Sequence, residues 1–307
     1  MDKSESIQDV QIVSETKPAI PWGWLRALLQ LFVWFIVNIV ISGIATVAVV
    51  VIQGQDPASL MGDQAGIIEK IGVIGMVIIS FLGLGGTLLT VWLFRKFIDK
   101  KSMLSLGFEF KAYRNDLFAG MGWGFILMLI GFIVLWISGM LTVTGVQFDP
   151  VNIFFYLLMF IIVAFNEEIL VRGYVLINLM DSMNKYIALV LSSLLFSAMH
   201  LMNANMSLVP AINIFLAGIL LGIYFIHKGN LWFPIGMHFT WNFFQGPIFG
   251  FEVSGHITNS IIVQEIAGHE LLTGGKFGFE GSLIATVAMI VLTIVIHLKH
   301  KKVHVAY

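Results

Sequence analysis

The sequence predicts an all-α fold, a polytopic transmembrane helical bundle of about eight spans with both termini cytoplasmic. Three observations predict it. Hydrophobic residues make up 58% of the 307 and charged residues only 11%, against roughly a quarter charged in an ordinary soluble domain. Apolar runs of about 20 residues, the length that crosses a bilayer core, recur along the chain. Lysine and arginine crowd the loops assigned to one face and nearly vanish from the other. The mean hydropathy of +0.92 agrees. A formal net charge of −1 gives no basis for a nucleic-acid partner. The chain has no cysteine, which excludes disulfides, thiolate metal sites and a cysteine nucleophile.

Taken in order, residues 1–22 are polar and mixed in charge, and read as a cytoplasmic tail with no signal peptide. A single membrane domain follows over 23–302, and 303–307 form a second cytoplasmic tail. The predicted spans are 25–52, 71–94, 117–141, 151–179, 187–201, 208–226, 231–250 and 283–298. The fifth is short, and its end near Asn203 and Asn205 is the least sharply marked. The face assigned to the cytoplasm holds Lys3, Lys17, Arg95, Lys96, Lys100, Lys101, Lys111, Arg114, Lys185, Lys228, Lys299, Lys301 and Lys302. The opposite loops hold only Lys70 and Lys276. Under the positive-inside rule this asymmetry sets the orientation. Trp22, Trp24 and Trp232 suit anchoring at the same interface. Gly120 and Gly124, like Gly218 and Gly222, are spaced for close packing between helices of this chain. The longest outer loop, 251–281, carries His256 and His269, both expected at its solvent-exposed surface.

The fourth span contains FNEEILVRGY, residues 165–174, in which Glu167, Glu168 and Arg172 stand in an otherwise apolar run. Each charge at mid-helix costs about 3 kcal/mol on insertion scales, roughly 9 kcal/mol together before compensation. Glu168 and Arg172 are four apart and share a helix face, as an ion pair requires. Glu167 points about 100° away and is left over. Placement in the final third of the span would let Arg172 extend to the cytoplasmic surface. The fifth span carries Phe196 and His200 in FSAMH, and the seventh His238 and Asn242 in HFTWN, each pair four apart. Two histidines, an asparagine and a surplus carboxylate on three spans point to a convergent site, because intramembrane ionisable groups are functional candidates.

In that order, EEILVR fits EExxxR, FSAMH fits FxxxH and HFTWN fits HxxxN. The sequence here resembles the CPBP family, the CAAX prenyl endopeptidases of the Ras-converting type and their prokaryotic relatives, also called Abi proteins. The resemblance covers residues 151–250 and implies an intramembrane endopeptidase acting on membrane-associated or lipidated substrates. It implies Glu167 as general base on a water that His200 helps to hold. It implies His238 and Asn242 as oxyanion donors, Glu168 and Arg172 as a supporting ion pair, and Phe196 as packing beneath His200. A multi-pass cell-membrane protein is expected, with the bacterial plasma membrane as its place, a peptide substrate and the lipid bilayer as partners, and no nucleic acid.

Two other classes compete. A proton- or ion-coupled transporter also keeps acidic and histidine residues in its helices, but no inverted repeat accompanies them here. A non-catalytic membrane factor, for bacteriocin self-immunity or scaffolding, is the stronger rival, and the intact motif set speaks against it. Metal is the remaining question. Glu167, His200 and His238 are ligand types that a catalytic zinc accepts, with a fourth position open for water. No His-Glu-x-x-His helix is present to supply a separate base. Metal-free glutamate catalysis without a cofactor is therefore the expectation. One misfit stands out. Counted from Lys185, His200 lies roughly 22 Å into the membrane by helical rise, whereas Glu167 is expected much nearer the cytoplasmic face.

Overall fold

The computed structural model describes residues 17–60 and 64–301. Lys3, Lys302, the 303–307 tail and the first 16 residues of the N-terminal tail lie outside the described residues. Helices occupy all eight predicted segments. They are α1 (Gly23–Ile52), α2 (Gln64–Leu93), α3 (Phe110–Ile137), α4 (Pro150–Glu168), α5 (Lys185–Met199), α6 (Leu208–Lys228), α7 (Trp232–Phe243) and α8 (Leu283–His300). Three of them run on through wider π-helical turns: α2 over Phe94–Asp99, α4 over Ile169–Leu176 and then to Met180, and α7 over Phe244–Ile248.

Among the described residues, six helices are long and apolar enough to cross a membrane. The exceptions are the fifth and seventh segments. With 15 residues in α5 and 12 in α7, their lengths are roughly 22 and 18 Å, short of a hydrocarbon core about 30 Å thick. Both are packed against longer neighbours, α5 on α6 and α7 on α3 and α4. Irregular backbone at membrane depth is tolerated where protein surrounds it. These two short helices carry His200, His238 and Asn242.

Lipid-facing and protein-facing surfaces separate clearly. Helix α1 leaves Phe32, Phe35, Ile39 and Ile44 more than half exposed, a face suited to acyl chains. The glycine pairs face inward. A Cβ at Gly120 would collide with Phe233 O, one at Gly124 with Thr240 Oγ1, and one at Gly222 with Leu189 Cδ1. Small residues thus bring α3 against α7 and α6 against α5, within one chain, as expected.

At the end of the bundle where α1 starts, charges are buried. Asp99 is fully buried and accepts from Arg26 at 2.9 Å and from Arg95 at 3.1 Å. Arg26 also reaches Asp181 at 2.7 Å, and Tyr174 OH lies 3.4 Å from Asp99. This network ties α1, the α2 extension and the α4 extension together. Arg95, expected among the solvated loop charges, is 2% exposed, because the π-helical turn after α2 folds it back onto Asp99 and Ser105. Trp232 also departs from expectation. Its ring packs edge-on against Phe108, Phe110 and Phe165 with centroids 6.0, 4.8 and 6.1 Å away. Trp22 and Trp24 remain exposed at the start of α1.

One small sheet was not foreseen. The third helix stops at Ile137, where Gly139 turns with φ 74°. The β-branched run that follows forms β1 (Leu141–Val146), antiparallel to β2 (Ile262–Ile266) in the 251–281 loop. The register runs from Leu141 opposite Ile266 to Val146 opposite Ile262, with a bulge between Val143 and Gly145. The sheet therefore folds that loop back over the bundle.

Candidate active site

Glu167 and Glu168 stand where α4 changes from α- to π-helical hydrogen bonding. Asp149 caps the start, accepting from Val151 N at 3.0 Å and Asn152 N at 3.1 Å, with Pro150 preorganised at the first turn. Every residue of the π segment Ile169–Leu176 is buried. Such segments are rare and concentrate at functional sites. Arg172 is 1% exposed and does not extend to the surface. Its Nη1 donates to Glu168 Oε1 at 2.8 Å and its Nη2 to Gly218 O at 3.3 Å. The guanidinium carbon sits 4.4 Å from the Phe196 ring centroid. Gly218 has no side chain to cover its carbonyl, and a Cβ there would lie 2.8 Å from that of Ser193. The helix-packing glycine thus opens a carbonyl to the buried cation.

The misfit in depth disappears when both residues are counted from the same end of the α4–α5 hairpin. Glu167 is 13 residues before Met180 and His200 is 15 after Lys185, so both lie roughly 20 Å from that end of the hairpin. Glu167 is at mid-helix, and no displacement of α5 is required. His200 is the residue immediately past α5, and its Nδ1 lies 2.8 Å from Phe196 O. A carbonyl only accepts, so Nδ1 carries the hydrogen and Nε2 of the neutral ring faces outward as an acceptor. Phe196 packs against His200 with ring centroids 4.7 Å apart, and its edge meets His238 at 6.4 Å.

His238 joins the two carboxylates. Its Nδ1 lies 2.8 Å from Glu168 Oε1, and its Nε2 lies 3.8 Å from Glu167 Oε2. The spacing of EExxxR indicated the Glu168–Arg172 pair but could not indicate that Glu168 serves a second helix. His200 Nε2 lies 3.7 Å from the same Glu167 Oε2, which has no hydrogen-bond partner within the protein. Asn242, one turn beyond His238, is 8% exposed.

Glu167, His200, His238 and Asn242 all line one cavity of about 500 Å³. Its apolar wall includes Trp34, Met76, Tyr156 and Phe160. Asn166, His256 and Glu280 are polar residues on its wall that the sequence reading did not assign to a site. Asn166 accepts from Thr87 Oγ1 at 2.5 Å, which in turn accepts from Trp34 Nε1 at 2.7 Å. His256, expected in solvent, is half-buried on the cavity wall, and burial lowers its pKa from the usual value. Glu280 lies on the same wall. The signal for it was faint, a carboxylate between glycines in FGFEG. His269 is exposed and caps a turn by accepting from Leu271 N.

Among the described residues, no group of three or more His, Asp or Glu side chains is arranged to hold a metal ion. Two ligand atoms on one tetrahedral zinc, each about 2.0–2.1 Å from it, stand roughly 3.3 Å apart. Here the two imidazole nitrogens stand 3.7 and 3.8 Å from the carboxylate oxygen.

No curated protein matches the chain. Residues 149–244, which contain all three motifs, match the family described as type II CAAX prenyl endopeptidase Rce1-like. That match supports a CAAX-type intramembrane endopeptidase of the CPBP/CAAX protease family.

Proposed function

We propose that the protein hydrolyses peptide bonds of membrane-associated or lipidated substrates with a water activated by Glu167 and His200, without a metal. One observation carries the reading. Glu167 lines the cavity, and its buried Oε2 has no hydrogen-bond partner within the protein and stands 3.7 and 3.8 Å from two imidazole Nε2 atoms.

The chemistry follows from which atoms accept and which donate. Glu167 Oε2 and neutral His200 Nε2 are both acceptors. A water between them donates one hydrogen to each and turns its lone pairs toward the cavity. As its oxygen attacks a carbonyl carbon, Glu167 takes the proton. The developing oxyanion meets Asn242 Nδ2–H and His238, which offers a second donor from Nε2 in its imidazolium form because Glu168 occupies Nδ1. Glu167 then returns its proton to the leaving amine as the carbon–nitrogen bond breaks. Arg172 and Glu168 touch no reacting atom. They hold His238 and fix the rotation of α4 that aims Glu167. Glu168 is committed to Arg172 and His238, which leaves no separate base if Glu167 were a zinc ligand, and this favours the glutamate mechanism over a zinc mechanism using Glu167, His200 and His238. A multi-pass protein of the bacterial plasma membrane fits this activity.

The test is the purified protein in nanodiscs, stripped of metal and assayed on a membrane-anchored peptide. Cleavage that persists in the stripped enzyme is expected. Cleavage that vanishes with the metal, and returns in proportion to zinc bound at one per chain, would overturn the metal-free mechanism.

A further inference from the structure

The loop after α7 does more than connect helices. Gly255 N donates to Phe277 O at 3.0 Å, and Asn205 Nδ2 donates to Lys276 O at 3.2 Å. Asn213 of α6 donates from Nδ2 to Glu280 O and Ser282 O, both at 2.8 Å. These bonds hold two loop stretches, around Ser254 and around Glu280, against the membrane helices. Their side chains then meet. Glu280 Oε1 accepts from Ser254 N at 2.5 Å and from Ser254 Oγ at 2.9 Å. Ser254 adopts φ 50°, the left-handed region, which is uncommon for a residue with a side chain.

Glu280 is thereby fixed on the wall of the cavity that holds Glu167 and His200. The hydrolytic steps make no use of it. Its hydrogen-bond donors are neutral, the backbone N–H and the hydroxyl of Ser254. Among the described residues lining the cavity there is no Lys or Arg. Burial raises the Glu280 carboxyl above the usual range, and a cation beside it would favour the ionised form. In a poorly hydrated cavity a lone carboxylate attracts an ammonium or guanidinium and repels another carboxylate.

We propose that Glu280 is a specificity-determining residue that selects substrates carrying a lysine or arginine side chain close to the scissile bond. The inference rests on the peptidase reading of the cavity. A peptide whose carbonyl reaches Glu167 occupies the space between it and the Glu280 wall. One of its flanking side chains then lies beside that wall, and a basic one supplies the charge the wall lacks. An acidic side chain or a free C-terminal carboxylate at that place is disfavoured by the same carboxylate.

The test uses the full chain in nanodiscs and a set of anchored peptides identical except for lysine, norleucine or glutamate at each position flanking the cleaved bond. At one position the wild type is expected to favour lysine over norleucine by about tenfold in kcat/KM, equivalent to about 1.4 kcal/mol, with glutamate the poorest. Glu280→Gln keeps an acceptor for Ser254 and is expected to bring the lysine-to-norleucine ratio to about one. Glu280→Asp, which keeps the charge, is expected to retain a preference for lysine. Active wild-type enzyme with no lysine preference at any position overturns the inference alone. A Glu280→Gln enzyme that keeps the ratio overturns it too, since that outcome makes Glu280 a structural residue. A wild type inactive on every peptide sinks the peptidase reading instead, and a Glu167→Gln variant as active as wild type sinks the placement of the scissile bond at Glu167 on which the inference rests.

Discussion

Glu168 Oε1 accepts from Arg172 and lies 2.8 Å from His238 Nδ1, while Oε2 of its neighbour Glu167 approaches two imidazoles only to 3.7 and 3.8 Å. Adjacent carboxylates therefore have opposite duties, one bound and one free. Glu167→Gln removes the proposed base and is expected to abolish peptide cleavage at normal abundance, as is His200→Ala. Asn242→Ala removes one proposed oxyanion donor and is expected to leave a residual rate about 10²–10³-fold lower. Cleavage and membrane abundance measured side by side check all three. Full activity in folded Glu167→Gln would remove that residue from the mechanism. Glu167 and His200 were legible as candidates because ionisable groups are rare in apolar spans. Glu280 was not, since a glutamate in a polar loop carries no such contrast, and only folding brings it to the cavity.

The π-helical part of α4 is the element on which the site depends. It keeps the helix going to Met180, buries Arg172 and sets Glu167 at the depth of His200. Arg172→Ala strands Glu168 with His238 as its remaining cationic partner, and breaking a buried pair costs about 3–5 kcal/mol. Lower abundance and a lower unfolding temperature in detergent are expected. Arg172→Lys should restore little, because a point charge cannot reach both Glu168 and Gly218 O as the planar guanidinium does. Rescue of stability to the wild-type value by lysine would show that charge alone matters. Gly218→Leu is expected to destabilise as well, since even a Cβ crowds Ser193. The short lengths of α5 and α7 belong to this scale too. Each helix ends near the site it furnishes.

For the whole molecule, orientation and the buried charge network make separate predictions. Reporters fused after Lys101 and after Lys302 are expected to stay cytoplasmic, and one near His269 to be exported. An exported reporter at Lys101 would invert the map. Asp99 receives two arginines from different segments at full burial. Asp99→Ala leaves Arg95 and Arg26 without that shared partner and is expected to lower the unfolding temperature more than Asp181→Ala, whose carboxylate is 28% exposed and solvent-screened. Equal losses in a thermal melt would show that burial does not govern this network.

The sequence by itself determined that the chain is a helical membrane bundle, because burying backbone in lipid demands helices and about 20 apolar residues per crossing leave a direct trace. It also determined which polar residues to examine, because i, i+4 spacing places Phe196 with His200 and His238 with Asn242 on shared faces. Tertiary structure alone decided how those faces meet. That Glu168 binds His238, that Gly218 opens a carbonyl to Arg172, and that Glu280 shares a wall with His200 are relations between residues up to 80 positions apart. Local periodicity carries no record of such pairs. It likewise could not show that β1 and β2 pair and tie the last loop to the strand after α3, for five or six residues of alternating pattern are too short to stand out from a loop, and only their pairing makes them strands.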